Sequence, residues 1–209
     1  MKPPVPPVRS VRLEEEARRE LELRRSGGYR HRTKIDESVG HFELDCSGFL
    51  GYALRGVAPE AFEEIVAFSR PRPVARSYHD FFLTRGNGGS EHWQRVQRAA
   101  DLVPGDVLAW LEPEEKTSTS TGHVAIVDAV PFPGPRDGEL TVVVIDSARS
   151  GHGVTDGRSL GREGASDGLG RGPVVLVVGE DGRPRGFRWS SDPKSRRFDV
   201  SVAMGRLRT

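Results

Sequence analysis

The sequence predicts a mixed α+β domain in which helices come first and an antiparallel sheet follows. Before Pro104, apolar residues recur at helical spacing between charged residues. After it, runs rich in Val and Ile alternate with Gly, Pro and Asp, which is the pattern of strands joined by turns. The chain has 209 residues, 35% of them hydrophobic and 29% charged, which fits one globular domain with or without an arm.

The first 26 residues are predicted to form an extended arm and a surface helix. Four prolines favour the extended arm, because proline fixes φ and cannot donate a backbone hydrogen bond: Pro3, Pro4, Pro6 and Pro7. The helix is expected over residues 12–25, where Glu and Arg recur four positions apart and Gly27 follows the last turn.

Residues 27–209 are predicted to form the main domain. Its helices are expected at residues 45–54, 77–83 and 91–100. Its sheet is expected to have about five strands, at residues 106–111, 123–130, 141–147, 174–178 and 199–204. The stretch 151–172 contains eight glycines, among them Gly161, Gly164 and Gly168, and is predicted to be a long functional loop.

Charge and composition exclude several classes of function. With 31 Lys and Arg against 30 Asp and Glu, no global field would hold the chain on nucleic acid. No run approaches the roughly 20 apolar residues of a membrane span. A single cysteine excludes an internal disulfide and a multi-cysteine metal cage, and no cofactor is predicted. The start of the chain lacks an apolar signal segment, so we expect a cytoplasmic protein or one exported with its signal removed.

Cys46 is the candidate nucleophile. It follows Asp45, a suitable helix N-cap, and the unpaired N–H groups of a helix N-terminus stabilise a thiolate. The same residue shares a helix face with Phe49 and Leu50, so a core cysteine is the alternative.

His123 and Asp146 are the candidate partners of the cysteine. His123 opens one apolar strand, and Asp146 closes the next strand after four residues of strand-forming type. If these strands are antiparallel neighbours, the two side chains touch. Cysteine, imidazole and a third group that orients the imidazole form the usual arrangement of a thiol nucleophile.

Four ordered blocks extend this pattern: DCSGF at residues 45–49, LVPGDVLAW at 102–110, GHVAIV at 122–127 and VVVID at 142–146. Together they resemble the NlpC/P60 superfamily of papain-like cysteine peptidases, over roughly residues 29–147. Members mostly hydrolyse bacterial cell-wall stem peptides, typically between D-glutamate and a diamino acid. The resemblance therefore implies a papain-like fold and a peptide or peptidoglycan fragment as substrate.

The resemblance also assigns roles to residues. It makes Cys46 the nucleophile, His123 the base and Asp146 the third member of a triad. Substrate contacts are expected from Asp45, Ser47, Tyr29 and Trp110. Tyr29 lies seventeen residues before the cysteine, further than the family's tyrosine, and the family's paired glycines are not recognisable.

Several alternatives stay open in the sequence. His152 could replace Asp146 as the third member, or form a second site with Asp156 and Arg158. A metal site among these residues lacks the usual histidine spacing. A polar spacer that includes Glu112, Glu114 and Glu115 is expected to be an inserted loop beside the groove, and the tail after Ser150 lies outside the family pattern. The triad could serve another acyl substrate as an amidase, deamidase or acyltransferase, or the chain could be a non-catalytic binding module.

Overall fold

The computed structural model describes residues 5–69, 72–85, 87–112, 120–158 and 166–209. Parts of three predictions lie outside these residues: Pro3 and Pro4 of the arm, most of the polar spacer, and Gly161 and Gly164 of the glycine-rich stretch. The described residues form four α-helices, a three-stranded sheet and a nine-stranded antiparallel sheet. The prediction of a mixed α+β fold is confirmed.

The helices precede most of the large sheet, as predicted. Their bounds are α1 Val8–Leu23, α2 Cys46–Val57, α3 Pro59–Ser69 and α4 Ala75–Thr84. The predicted helices at 12–25, 45–54 and 77–83 correspond to α1, α2 and α4, whereas α3 was not predicted. The arm is shorter than predicted because α1 begins directly after Pro7. This helix is also more than a surface element, since Leu13 and Ala17 are fully buried.

Twelve strands lie in the described residues. The small sheet contains β1 Ser26–Gly28, β2 Lys34–Asp36 and β3 His41–Glu43, with β3 in the centre. The large sheet contains β4 Trp93–Val96, β5 Val107–Leu111, β6 Gly122–Val127, β7 Phe132–Pro133, β8 Glu139–Ala148, β9 Gly168–Val178, β10 Pro184–Arg188, β11 Arg197–Phe198 and β12 Val202–Leu207. Its order is β11-β10-β9-β8-β6-β5-β12-β4, and β7 pairs with β8.

The prediction of a helix at residues 91–100 is wrong. This segment contains β4, followed by a 3-10 turn at Ala99–Asp101. Trp93 pairs with Leu207 and Val96 with Met204 of the C-terminal strand. The two apolar residues are three positions apart, which resembles helical spacing, but pairing with a strand more than a hundred residues away overrides it.

The sheet is larger than the predicted five strands, and it curls. Trp110 of β5 and Phe187 of β10 have ring centroids 4.7 Å apart, although three strands separate β5 from β10 in the sheet order. The curl encloses a second apolar cluster, separate from the one between the helices and the sheet. Within the described residues, no helix combines the length and the apolar composition needed to cross a membrane.

Candidate active site

Cys46 is the first residue of α2, and Asp45 caps the helix as predicted. The Asp45 carboxylate accepts hydrogen bonds from the Gly48 N–H at 2.7 Å and from the Ser47 hydroxyl at 2.9 Å. Cys46 is 4% exposed. Its thiol therefore lies at the positive end of the helix dipole, in a site that is nearly closed to bulk water.

Asp45 and Ser47 are buried in the helix start and do not line the groove described below. Arg72 donates to both oxygens of Asp45, at 2.8 and 2.9 Å, and His31 Nδ1 lies 3.3 Å from the same carboxylate. In the structure both side chains hold the start of α2 in place, and their contact with substrate stays a prediction.

Replacing Asp45 with alanine is expected to lower the free energy of unfolding by about 1–2 kcal/mol, because it removes an N-cap and the carboxylate that pairs with Arg72. Asparagine can also cap a helix, so Asp45→Asn is expected to lose less. Urea unfolding of both variants tests this, and equal losses would show that capping contributes little.

His123 and Asp146 are in contact, at the ends of neighbouring antiparallel strands. β6 pairs with β8 through Ile126 and Val127, and His123 Nε2 lies 2.5 Å from Asp146 Oδ2. The residue after Asp146, Ser147, donates its hydroxyl to the Leu44 carbonyl at 2.7 Å. That bond joins the end of β8 to the chain just before Cys46, which brings the three candidate residues to one place.

Asp146 has two further buried partners. His152 Nε2 lies 2.8 Å from Asp146 Oδ2, and Arg158 forms an ion pair with Oδ1 at 2.9 Å. Asp156 in turn binds the Arg158 guanidinium through both carboxylate oxygens, at 2.9 and 2.7 Å. The residues that suggested a second site thus belong to the same cluster as Asp146. His152 contacts the carboxylate and not the His123 ring nitrogens, so this geometry makes Asp146 the direct partner of His123.

His152 links Asp146 to the backbone of a later segment. Its Nδ1 lies 2.9 Å from the Trp189 carbonyl oxygen, and its Nε2 lies 2.8 Å from Asp146 Oδ2. The ring therefore connects the carboxylate to the segment that carries Trp189.

The charges around His123 and Asp146 shift their pKa values in opposite directions. Burial raises the pKa of Asp146, but Arg158, His152 and His123 outweigh it and hold the pKa well below its usual value. Burial lowers the pKa of His123, but the charges of Cys46 and Asp146 and hydrogen bonds to both raise it to about 10. These surroundings therefore favour the charged form of His123.

Glycines in β9 make room for this buried cluster. A Cβ atom on Gly170 would overlap the side chain of Arg158, and one on Gly172 would overlap that of Asp156. Small residues are needed there because two charged side chains lie against the strand.

The predicted loop at 151–172 is shorter than expected. Its last five residues form the start of β9.

A groove of about 350 Å³ opens beside His123. Its walls are formed by Tyr29, Trp110, Glu112, Ser120, Gly122, His123, Ala148, Arg149, Ser150, Phe187, Trp189 and Phe198. Two of the predicted substrate contacts, Tyr29 and Trp110, lie in it, and the Trp110 ring is 5.0 Å from that of His123.

Sequence reasoning missed part of the groove and its cation. The tail after Ser150 provides three aromatic rings, those of Phe187, Trp189 and Phe198, although it lies outside the four family-like blocks. Phe187 and Trp189 are two positions apart, the spacing that puts side chains on one face of a strand. That spacing could have predicted an aromatic wall of the groove. Nothing in the sequence predicted a role for Arg149, since an arginine at a strand end is usually solvated.

No group of three or more His, Cys, Asp or Glu side chains in the described part of the chain is arranged to hold a metal ion. His123, His152, Asp146 and Asp156 lie close together, but their polar atoms are engaged with one another, with Arg158 and with the backbone. The cluster is a network of hydrogen bonds and ion pairs.

Fold and site define an α+β protein that holds a cysteine, at a helix N-terminus, against a buried histidine–aspartate pair. Comparison with known proteins finds a relative in Acanthamoeba polyphaga mimivirus, an uncharacterised protein that is 30% identical over 180 residues. The match covers 78% of this chain and 77% of the viral protein, and the chain belongs to the same family. No family model and no solved structure matches the chain.

Proposed function

We propose that this protein is a cysteine hydrolase of the papain-like NlpC/P60 type, which cleaves amide bonds with Cys46, His123 and Asp146. The observation that carries the proposal is the position of His123. One ring nitrogen, Nε2, is held by Asp146, which leaves Nδ1 for the thiol, and Cys46 contributes to the raised pKa of His123. The four ordered sequence blocks support the same assignment.

The surroundings of Cys46 support a thiolate. The thiol lies at the positive end of α2, and His123 is its neighbour. Asp146, which forms an ion pair with Arg158, in turn favours the charged form of His123. The resting enzyme would then hold a thiolate–imidazolium pair, the form in which a cysteine attacks a carbonyl.

In the proposed reaction the Cys46 sulfur attacks the amide carbonyl, and His123 protonates the leaving amine as the C–N bond breaks. Water then attacks the thioester and gives a proton to His123. The C–S bond then breaks, the acid product leaves, and the Cys46 thiolate and protonated His123 are restored. Asp146 keeps the His123 ring oriented throughout.

The start of α2 would stabilise the oxyanion of this reaction. The Asp45 carboxylate accepts a hydrogen bond from the Gly48 N–H, and the Asp45 backbone carbonyl accepts one from the Phe49 N–H. The amides of Cys46 and Ser47 precede these two and are the natural donors to an oxyanion, at the positive end of the helix.

The resemblance points to cell-wall stem peptides as the substrate class, with cleavage between D-glutamate and a diamino acid. An amidase, deamidase or acyltransferase would use the same three residues. Purified stem peptides compared with other peptide amides, assayed for release of free amine, distinguish these substrates.

The pH dependence of alkylation tests the mechanism itself. Cys46 is the single cysteine, so iodoacetamide incorporation reports this site alone. An ordinary thiol is mostly protonated below about pH 8.5, whereas a thiolate paired with His123 should react rapidly at pH 6. We expect His123→Ala to lose this reaction at pH 6, and mass spectrometry of the modified protein measures it.

His92→Ala is the matched control, because His92 lies outside the cluster and is expected to leave alkylation unchanged. If the native thiol reacts slowly at pH 6 and is indifferent to His123→Ala, Cys46 is a packing residue. The chain would then be a binding module.

A further inference from the structure

The groove beside His123 has a wall of aromatic rings whose positions are fixed by the catalytic cluster. The Trp189 ring lies 4.3 Å from that of His152 and 5.2 Å from that of His123, measured between centroids. The Trp189 indole N–H donates to the Gly151 carbonyl at 3.2 Å. This ring is therefore held in one orientation, which is what a preformed binding surface requires.

The rings differ in their access to the groove. Trp110 and Phe187 are 2% and 4% exposed and form its floor. Trp189 and Phe198 are half-buried, and Phe198 stacks on Phe187 with centroids 5.3 Å apart. An apolar or aromatic group in the groove would contact the two half-buried rings without displacing core residues.

A cation stands at the same groove. Arg149 is exposed, its guanidinium lies over the Tyr29 ring at 5.3 Å, and it donates to His31 Nε2 at 3.2 Å. Neither of these two partners is a carboxylate. The exposed guanidinium can therefore pair with the carboxylate of a ligand.

We propose that the groove selects substrates that carry an aromatic group together with a carboxylate, which favours another acyl substrate over cell-wall stem peptides, since those contain no aromatic side chain. The aromatic group would pack against Trp189 and Phe198, and the carboxylate would pair with Arg149. The volume of about 350 Å³ lies at the lower end of the range for small-molecule sites, which suits one aromatic side chain and a short piece of backbone. This inference rests on the proposed function, since it makes the groove the substrate site of Cys46.

The test measures binding, so that it does not depend on turnover. In the Cys46→Ala protein, tryptophan fluorescence would be followed during titration with N-acetyl-L-phenylalanine, N-acetyl-L-phenylalaninamide and N-acetyl-L-alanine. Trp110 and Trp189 lie in the groove, whereas Trp93 is fully buried in the helix-side core. We expect the first ligand to bind about tenfold more tightly than the other two, which lack the charge or the ring.

Two variants assign these preferences to residues. Arg149→Gln should abolish the preference for the acid over the amide, and Phe198→Leu should weaken the preference for phenylalanine over alanine. Trp189→Leu should act in the same way as Phe198→Leu, but it also removes a ring packed on His152. Arg185→Gln is the control, because Arg185 pairs with Asp181 outside the groove.

Equal binding of the three ligands, or an unchanged preference in Arg149→Gln, would overturn the inference. The outcome is separable from that of the alkylation experiment. Selective binding with an unreactive thiol would support the groove and refute the hydrolase. A reactive thiol without selective binding would refute the groove alone.

Discussion

Cys46→Ala is expected to reduce amide hydrolysis at least about a thousandfold in kcat/KM, because removal of the nucleophile leaves only substrate binding and oxyanion contacts. The same variant should fold normally. The N-cap bonds of Asp45 do not involve the thiol, and alanine is a good helix former that fits the space. Steady-state hydrolysis of the best peptide amide, together with the thermal unfolding midpoint, measures both effects.

Cys46→Ser is the companion variant, since it keeps the size of the side chain and replaces the thiol with a weaker nucleophile. Both variants should be inactive while the midpoint changes little. Retention of more than a tenth of the wild-type rate by Cys46→Ala would contradict thiol catalysis. If Cys46→Ala also unfolds, the activity of the folded Cys46→Ser protein, which keeps the packing, decides whether the thiol is required.

Arg158→Met is expected to lower the free energy of unfolding by about 3–5 kcal/mol, the largest stability effect that we expect in the molecule. Arg158 forms ion pairs with Asp146 and Asp156, and the side chains of all three are fully buried. Methionine fills a similar volume but removes the cation that lies between the two buried carboxylates, and it leaves Asp156 without its ion-pair partner. Urea unfolding at pH 7 measures the loss.

Arg185→Met is the matched control, because its ion pair with Asp181 is exposed on both sides. Exposed pairs contribute about 1 kcal/mol or less, so this variant should be nearly neutral. A loss for Arg158→Met no larger than that for Arg185→Met would mean that the buried cluster adjusts without its cation. The assignment of Arg158 as the residue that keeps Asp146 ionised would then be wrong.

Local patterns were sufficient to predict the start of α2 and the pairing of His123 with Asp146. Asp45 before Cys46 is an N-cap in the sequence and in the structure. His123 was expected to meet Asp146 if their two strands were antiparallel neighbours, and in the structure they are. These predictions needed only helix capping and the geometry of a strand pair.

The remainder of the site depends on contacts that no local pattern encodes. Arg158 follows a glycine and lies in a glycine-rich stretch, a pattern that predicts a solvated loop. Its side chain is nevertheless buried, because glycines in β9 leave room for it. Trp189 reaches His152 across 37 residues, through its backbone carbonyl and its ring. The wrong prediction of a helix at residues 91–100 also results from a distant contact, since pairing with β12 determines the structure of β4.

The position of β12 also has a consequence for biosynthesis. The strand Val202–Leu207 lies between β5 and β4, so the sheet has a gap until these residues have been synthesised. Phe187 and Trp189 of the groove also follow Cys46 by about 140 residues. During translation the nucleophile therefore emerges well before the aromatic wall of its groove, and a polypeptide that stops before β12 would have an incomplete sheet.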